Sequence, residues 1–148
     1  MRTWMCSSAV VLGFLLLIGG QGIRTIAQTR PTDDVPKIIL SGLEAYKSDG
    51  ADAAMKAWIR GSALDGSKDA LSQANILRQI QDFYGAYKAF DLIRTRSLSP
   101  NIRVIYLALD YERGPLFAKF VVYQTQQGWI LTNFTFNTKE ELILPQSL

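Results

Sequence analysis

Histidine is absent from the 148 residues, and cysteine occurs once. These two absences exclude a histidine general base, a histidine-ligated metal site and an internal disulfide framework. Basic excess is also scarce: 16 Lys and Arg stand against 13 Asp and Glu. Without Arg2 and Arg24 of the amino-terminal segment, 14 basic side chains remain, so the mature chain carries +1. Nucleic-acid binding needs a much stronger basic field, and none is predicted. A Gly-rich phosphate loop, a Gly-x-Ser-x-Gly elbow, a calcium loop and a paired-carboxylate signature are all missing. No cofactor and no metal site are expected. What remains is a chain with 48% apolar and 11% aromatic side chains, the composition of a globular domain.

Acidic residues are also missing from the first 27 positions. Arg2 and the terminal amine precede ten residues without a polar group, Ala9 to Ile18, and Gly19, Gly20 and Gly22 break the run. Thr25-Ile26-Ala27 then places small residues three and one before Gln28. That order is the one found in secretory signal peptides, so residues 1–27 are read as a leader cleaved after Ala27, with Gly22 as the second site. The alternative is an uncleaved membrane anchor, since Trp4 to Ile23 is long enough to span a bilayer. Its serines, Gln21 and four glycines argue against a permanent span. Cys6 precedes the apolar run, the wrong side for lipidation, and cleavage removes it. The protein is expected to be exported, to the periplasm or the medium, with no membrane contact after cleavage.

Residues 28–33 read as a linker and residues 34–148 as one α+β domain. Val35, Ile38, Ile39, Leu43 and Tyr46 recur at helical spacing from Asp34, with Asp33 or Asp34 as cap and Pro36 in the first turn. A short Ala-rich helix follows over 52–60. A third helix is capped by Ser67, carries the stripe Leu71, Ala74, Leu77, Ile80 and Tyr84, and stops at Gly85. Beyond Gly85 the texture changes to β-branched and aromatic residues. Strands are predicted over 86–97, 101–111, 116–125 and 129–137, joined by links too short for crossover helices. The Ala-Met-Lys-Ala-Trp segment does not recur at the 34-residue period of a helical repeat array.

Three helices followed by four antiparallel strands resemble the nuclear transport factor 2-like superfamily, the cystatin-like α+β cone. The resemblance is carried by element order, by Tyr111-Glu112-Arg113-Gly114-Pro115-Leu116-Phe117, and by Gly128-Trp129-Ile130-Leu131 leading into Phe134-Thr135-Phe136-Asn137-Thr138. It implies three helices packed on a curled four-stranded antiparallel sheet, in small secreted bacterial proteins of unassigned activity. Superfamily enzymes of the isomerase and dehydratase kind use carboxylates, Tyr or His inside the cone. No motif here fixes such a set, so no catalytic residue is carried over.

Ligand-binding candidates follow from the residues themselves. Tyr106 and Asp110 share a strand face with Val104 and Ala108, and Asp91 lies on the preceding strand. A carboxylate beside a tyrosine in a dry pocket can bind a ligand or act as a base, whereas strand-end acids are ordinarily solvated. Trp58 and Trp129 are either core fillers or ligand anchors. The expected function is a non-enzymatic binding or dimerisation module that takes a small apolar ligand or a protein partner. The alternative is a metal-independent pocket enzyme acting on a small apolar molecule. Both faces of the second and third strands are apolar, Ile102, Val104, Tyr106 and Ala108 against Ile105, Leu107 and Leu109. Helices cover one face only, so a homodimer through the other is expected. The rival is that Leu142-Ile143-Leu144 covers it within the monomer.

Overall fold

The computed structural model describes residues 34–146. The leader over 1–27, its cleavage site and the linker over 28–33 lie outside the described residues. The elements run α1 (Lys37–Asp49), α2 (Ala51–Ile59), α3 (Lys68–Tyr84), β1 (Tyr87–Ser99), β2 (Ile102–Tyr111), β3 (Pro115–Thr125) and β4 (Gly128–Asn137). A 3₁₀ turn at Glu140–Leu142 follows. The strands pair antiparallel in the order β1-β2-β3-β4, a meander with all three helices ahead of it. No helix among the described residues is long and apolar enough to cross a membrane.

Local chemistry explains most of the boundaries. The Ser67 side chain accepts from the Ala70 N–H at 3.1 Å and so satisfies one of the free donors that open α3. Gly50 and Gly85 close α1 and α3 with φ of 84° and 86°, a region that costs an L side chain strain. The start of α1 differs from the sequence reading. Pro36 is the residue before the helix, with ψ at 141°, and no side chain caps it. The Asp33 or Asp34 cap therefore gives way to the Pro36 carbonyl, which accepts from the N–H groups of Ile39 and Leu40.

The stripe of α3 faces the core at Ala74, Leu77, Ile80 and Tyr84, but its first member is Ala70 and not Leu71. Ala70, Ala74 and Leu77 are buried, while Leu71 is 64% exposed. A position one residue along is rotated about 100° around the helix, so Ala70 and Leu71 cannot share the core face.

Alternation in the strands sorts the sheet into two faces. Toward the helices point Ile105, Leu107, Leu109 and Tyr111 of β2, Leu116, Ala118, Phe120 and Val122 of β3, and Leu131, Phe134 and Phe136 of β4. They meet Ile39, Leu43 and Tyr46 of α1, Trp58 of α2 and Leu77 of α3 in one core. Each such aliphatic or aromatic side chain contributes about 1.5–3 kcal/mol of burial free energy. The outer face holds a second, smaller cluster. Ile143 and Leu144 fold back onto Val104, Tyr106, Ile93, Phe117 and Val121. The outer face thus resembles the rival reading at its centre, where the tail covers Val104 and Tyr106. Around that centre it is polar, with Arg96 opposite Val104, Lys119 opposite Tyr106 and Thr135 opposite Lys119.

Candidate functional site

The sheet separates the four sequence-predicted site residues. Trp58 is fully buried on the helix side. Its indole N–H donates to the Ile39 carbonyl at 3.0 Å, and its ring lies 5.2 Å from Phe120 and 5.8 Å from Phe136. Every face of that indole is occupied by protein, leaving no surface for a ligand. Tyr106, Asp91 and Asp110 sit on the opposite, outer face. The register sets Asp91 across from Ala108, between Tyr106 and Asp110 on the neighbouring strand, so the three do share a surface. Tyr106 is buried under the tail, Asp110 is half-buried and Asp91 is exposed. A carboxylate–tyrosine pair inside the helix–sheet interior is therefore not what these residues form.

The interior instead holds a tyrosine network between α1, α3 and the β1–β2 end of the sheet. Tyr111 donates its hydroxyl to the Tyr46 hydroxyl at 2.8 Å, and Tyr46 donates to the Leu77 carbonyl at 3.2 Å. Tyr87 completes the group, with its ring 5.2 Å from Tyr46 and 5.9 Å from Tyr111. Burial raises the pKa of all three phenols above the ordinary 10.0. For Tyr87 the nearby Asp110 carboxylate adds to burial, and then Tyr46. For Tyr111 the proton it donates to Tyr46 is held more tightly still. In Tyr46 the hydrogen bond received from Tyr111 works against burial. At neutral pH all three phenols carry their protons. Tyr111 and Tyr46 spend theirs inside the protein, ending on a helix carbonyl. Neither has a proton free to stabilise a developing oxyanion. Helical spacing identifies Tyr46 as a core residue. Nothing local signals that its partner lies 65 positions away.

The concave surfaces of the described residues include two grooves on the rim of the helix–sheet layer. A groove of about 380 Å³ runs between α1 and β1 beside Leu40, Leu43, Tyr87 and Phe90. A larger one of about 700 Å³ lies where α1 begins, α2 ends and the β3–β4 turn meets β2. Ile38, Ala57 and Trp129 supply its apolar wall, and Lys37, Arg60 and Arg103 its charge, with Asp34 at the edge. The Arg103 guanidinium stands 4.9 Å from the centre of the Trp129 ring, a cation–π contact that fixes both side chains. Arg60 and Arg103 carry no motif in the sequence. The available signal was Arg103 itself, a lone charge in the apolar run Ile102-Arg103-Val104-Ile105.

Comparison with known proteins bears on the fold alone. A crystal structure of a domain of unknown function with a cystatin-like fold, from Nostoc punctiforme, is similar to this chain with a TM-score of 0.50. The likeness covers 75% of this chain and 78% of that one at 12% identity. No protein-family model matches the chain, and no curated protein does. The class of protein is thus an α+β domain of helices ahead of a four-stranded antiparallel sheet, consistent with a cystatin-like fold.

Proposed function

We propose that this chain is an exported, non-enzymatic binding module that takes small ligands on its surface and keeps a filled interior. The observation that carries the reading is the packing at Trp58. Its indole, Phe120 and Phe136 fill the space between helices and sheet that an interior pocket would need. No charged side chain is buried among the described residues, so the interior offers no base of raised pKa. Tyr46 and Tyr111 spend their protons within the protein and so do not supply the acid. Ligand recognition then falls to the rim grooves, and the larger one combines apolar wall with polar groups as ligand sites do.

Export rests on the leader pattern in residues 1–27, and amino-terminal sequencing of the secreted protein should read from Gln28. Self-association through the outer sheet face requires the tail to leave Val104 and Tyr106, because Ile143 occupies that position.

Absence of catalysis is tested directly in D₂O. The protein is incubated with an unsaturated cyclic ketone, and α-proton exchange is followed by NMR. Exchange at the buffer rate is expected. Exchange accelerated a hundred-fold or more, lost in Asp110→Asn, would establish the enzyme reading instead.

A further inference from the structure

We infer that the 700 Å³ groove at the start of α1 binds small molecules that join an anionic head to a flat aromatic or aliphatic body. The inference rests on the binding-module reading and gives it a ligand class. Three cations, Lys37, Arg60 and Arg103, converge on this groove, and Asp34 is the one acid in its lining. None of the three cations forms an ion pair among the described residues, unlike Arg78, which pairs with Asp52 at the other end of α2. Their charge therefore exceeds that of Asp34 across a concave surface that is apolar in part. Arg103 is held in place by the face of Trp129, so its planar donors are oriented before a ligand arrives. A fixed guanidinium suits carboxylate and phosphate oxygens, which it can meet with two parallel N–H donors. Pro36, Ile38, Ala57 and the remaining Trp129 surface then accept the body of the molecule.

Each exposed cation adds a few-fold in affinity at low salt. Together they make an anion bind about ten-fold more tightly than a neutral molecule of the same shape. Three probes share one ring: 1-naphthaleneacetate, 1-naphthyl phosphate and neutral 1-naphthaleneacetamide. Calorimetric titration uses the chain beginning at Gln28, which keeps every core residue from Val35 to Ile143. The two anions are expected to bind about ten-fold tighter than the amide, and their ranking identifies the preferred head. Arg60→Gln with Arg103→Gln should bring the acetate to the amide's affinity and move the amide less than two-fold. Asp34→Asn should tighten both anions, and Lys88→Gln, which lines the other groove, should change neither.

An amide that binds as tightly as the anions, or anion binding indifferent to Arg60 and Arg103, overturns the anionic ligand class while surface binding stands. An equal loss in Lys88→Gln does the same, since net charge alone then explains it. No binding by any probe, as when the chain's own preceding residues fill the groove, overturns both readings.

Discussion

Gly42 tests the packing at Trp58 more sharply than Trp58 itself does. It lies in α1 against the indole, and a Cβ built there overlaps Nε1, Cδ1 and Cε2 of the ring. Two effects of Gly42→Ala oppose each other. Alanine favours a helix interior over glycine by about 1 kcal/mol. Against this, the indole cannot move aside freely, because Phe120 and Phe136 hold its other faces and the N–H is bound to the Ile39 carbonyl. Overpacking a filled site costs about 1–3 kcal/mol, and a buried donor that loses its acceptor adds about 1–3 kcal/mol. The net expectation is a loss of about 2–3 kcal/mol. In a domain of this size that lowers Tm by roughly 10 °C. Urea unfolding of the chain from Gln28 measures it, and the double variant with Trp58→Phe supplies a control. Phenylalanine lacks the pyrrole atoms that meet the new Cβ, so the cost of Gly42→Ala should shrink in that background by 1 kcal/mol or more, a coupling estimated as for residues in contact. A Gly42→Ala protein as stable as the parent, or costs that simply add, would refute the close approach of α1 to the indole.

Tyr46→Phe should cost about 1–3 kcal/mol, because it strands the buried Tyr111 hydroxyl. Tyr111→Phe should cost only about 0.5–1.5 kcal/mol, since Tyr46 keeps its bond to Leu77; the reverse order in urea unfolding would contradict the direction of the proton chain. The raised phenol pKa values also set an alkaline limit. Stability is fully present below pH 10 and falls above it, because the unfolded phenols ionise first while the folded ones hold their protons. The slope is about 1.4 kcal/mol per pH unit for each phenol, so Tyr87 and Tyr111 together remove about 4 kcal/mol by roughly pH 11.5; a denaturation midpoint flat from about pH 9 to 11.5 would count against the network. Ending the chain at Thr138 uncovers Val104 and Tyr106. Sedimentation should then shift toward the dimer relative to the intact chain, and an unchanged mass would show that the tail shields nothing.

Local signals proved legible where one residue type answers a backbone need. Ser67 before α3 and the glycines at 50 and 85 mark their boundaries because a capping hydroxyl and a positive φ are local requirements. Strand alternation likewise separates Ile105, Leu107 and Leu109 from Val104 and Tyr106. The misplaced start of α1 came from Pro36, which suits both the first turn and the position before it, and only ψ distinguishes them. Leu142-Ile143-Leu144 stood only as the rival cover of the outer face for a different reason. Which sheet face a tail lies on depends on what the helices leave open. The same limit hid the groove, where Arg60, Arg103 and Trp129 meet from three elements. Alternation put Tyr106 and Asp110 on one strand face, and the register adds Asp91 to it, but that face is the outer one, away from the helices.

The chain from Gln28 holds two tryptophans, Trp58 in the interior and Trp129 at the groove. Their indole N–H resonances are two separate reporters in a ¹⁵N-correlated NMR spectrum of the chain from Gln28. During titration with 1-naphthaleneacetate the Trp129 resonance should move progressively while that of Trp58 stays fixed. A Trp58 resonance that shifts or broadens with ligand while Trp129 stays still would mean that the interior opens to receive it, and the filled-core account would fail.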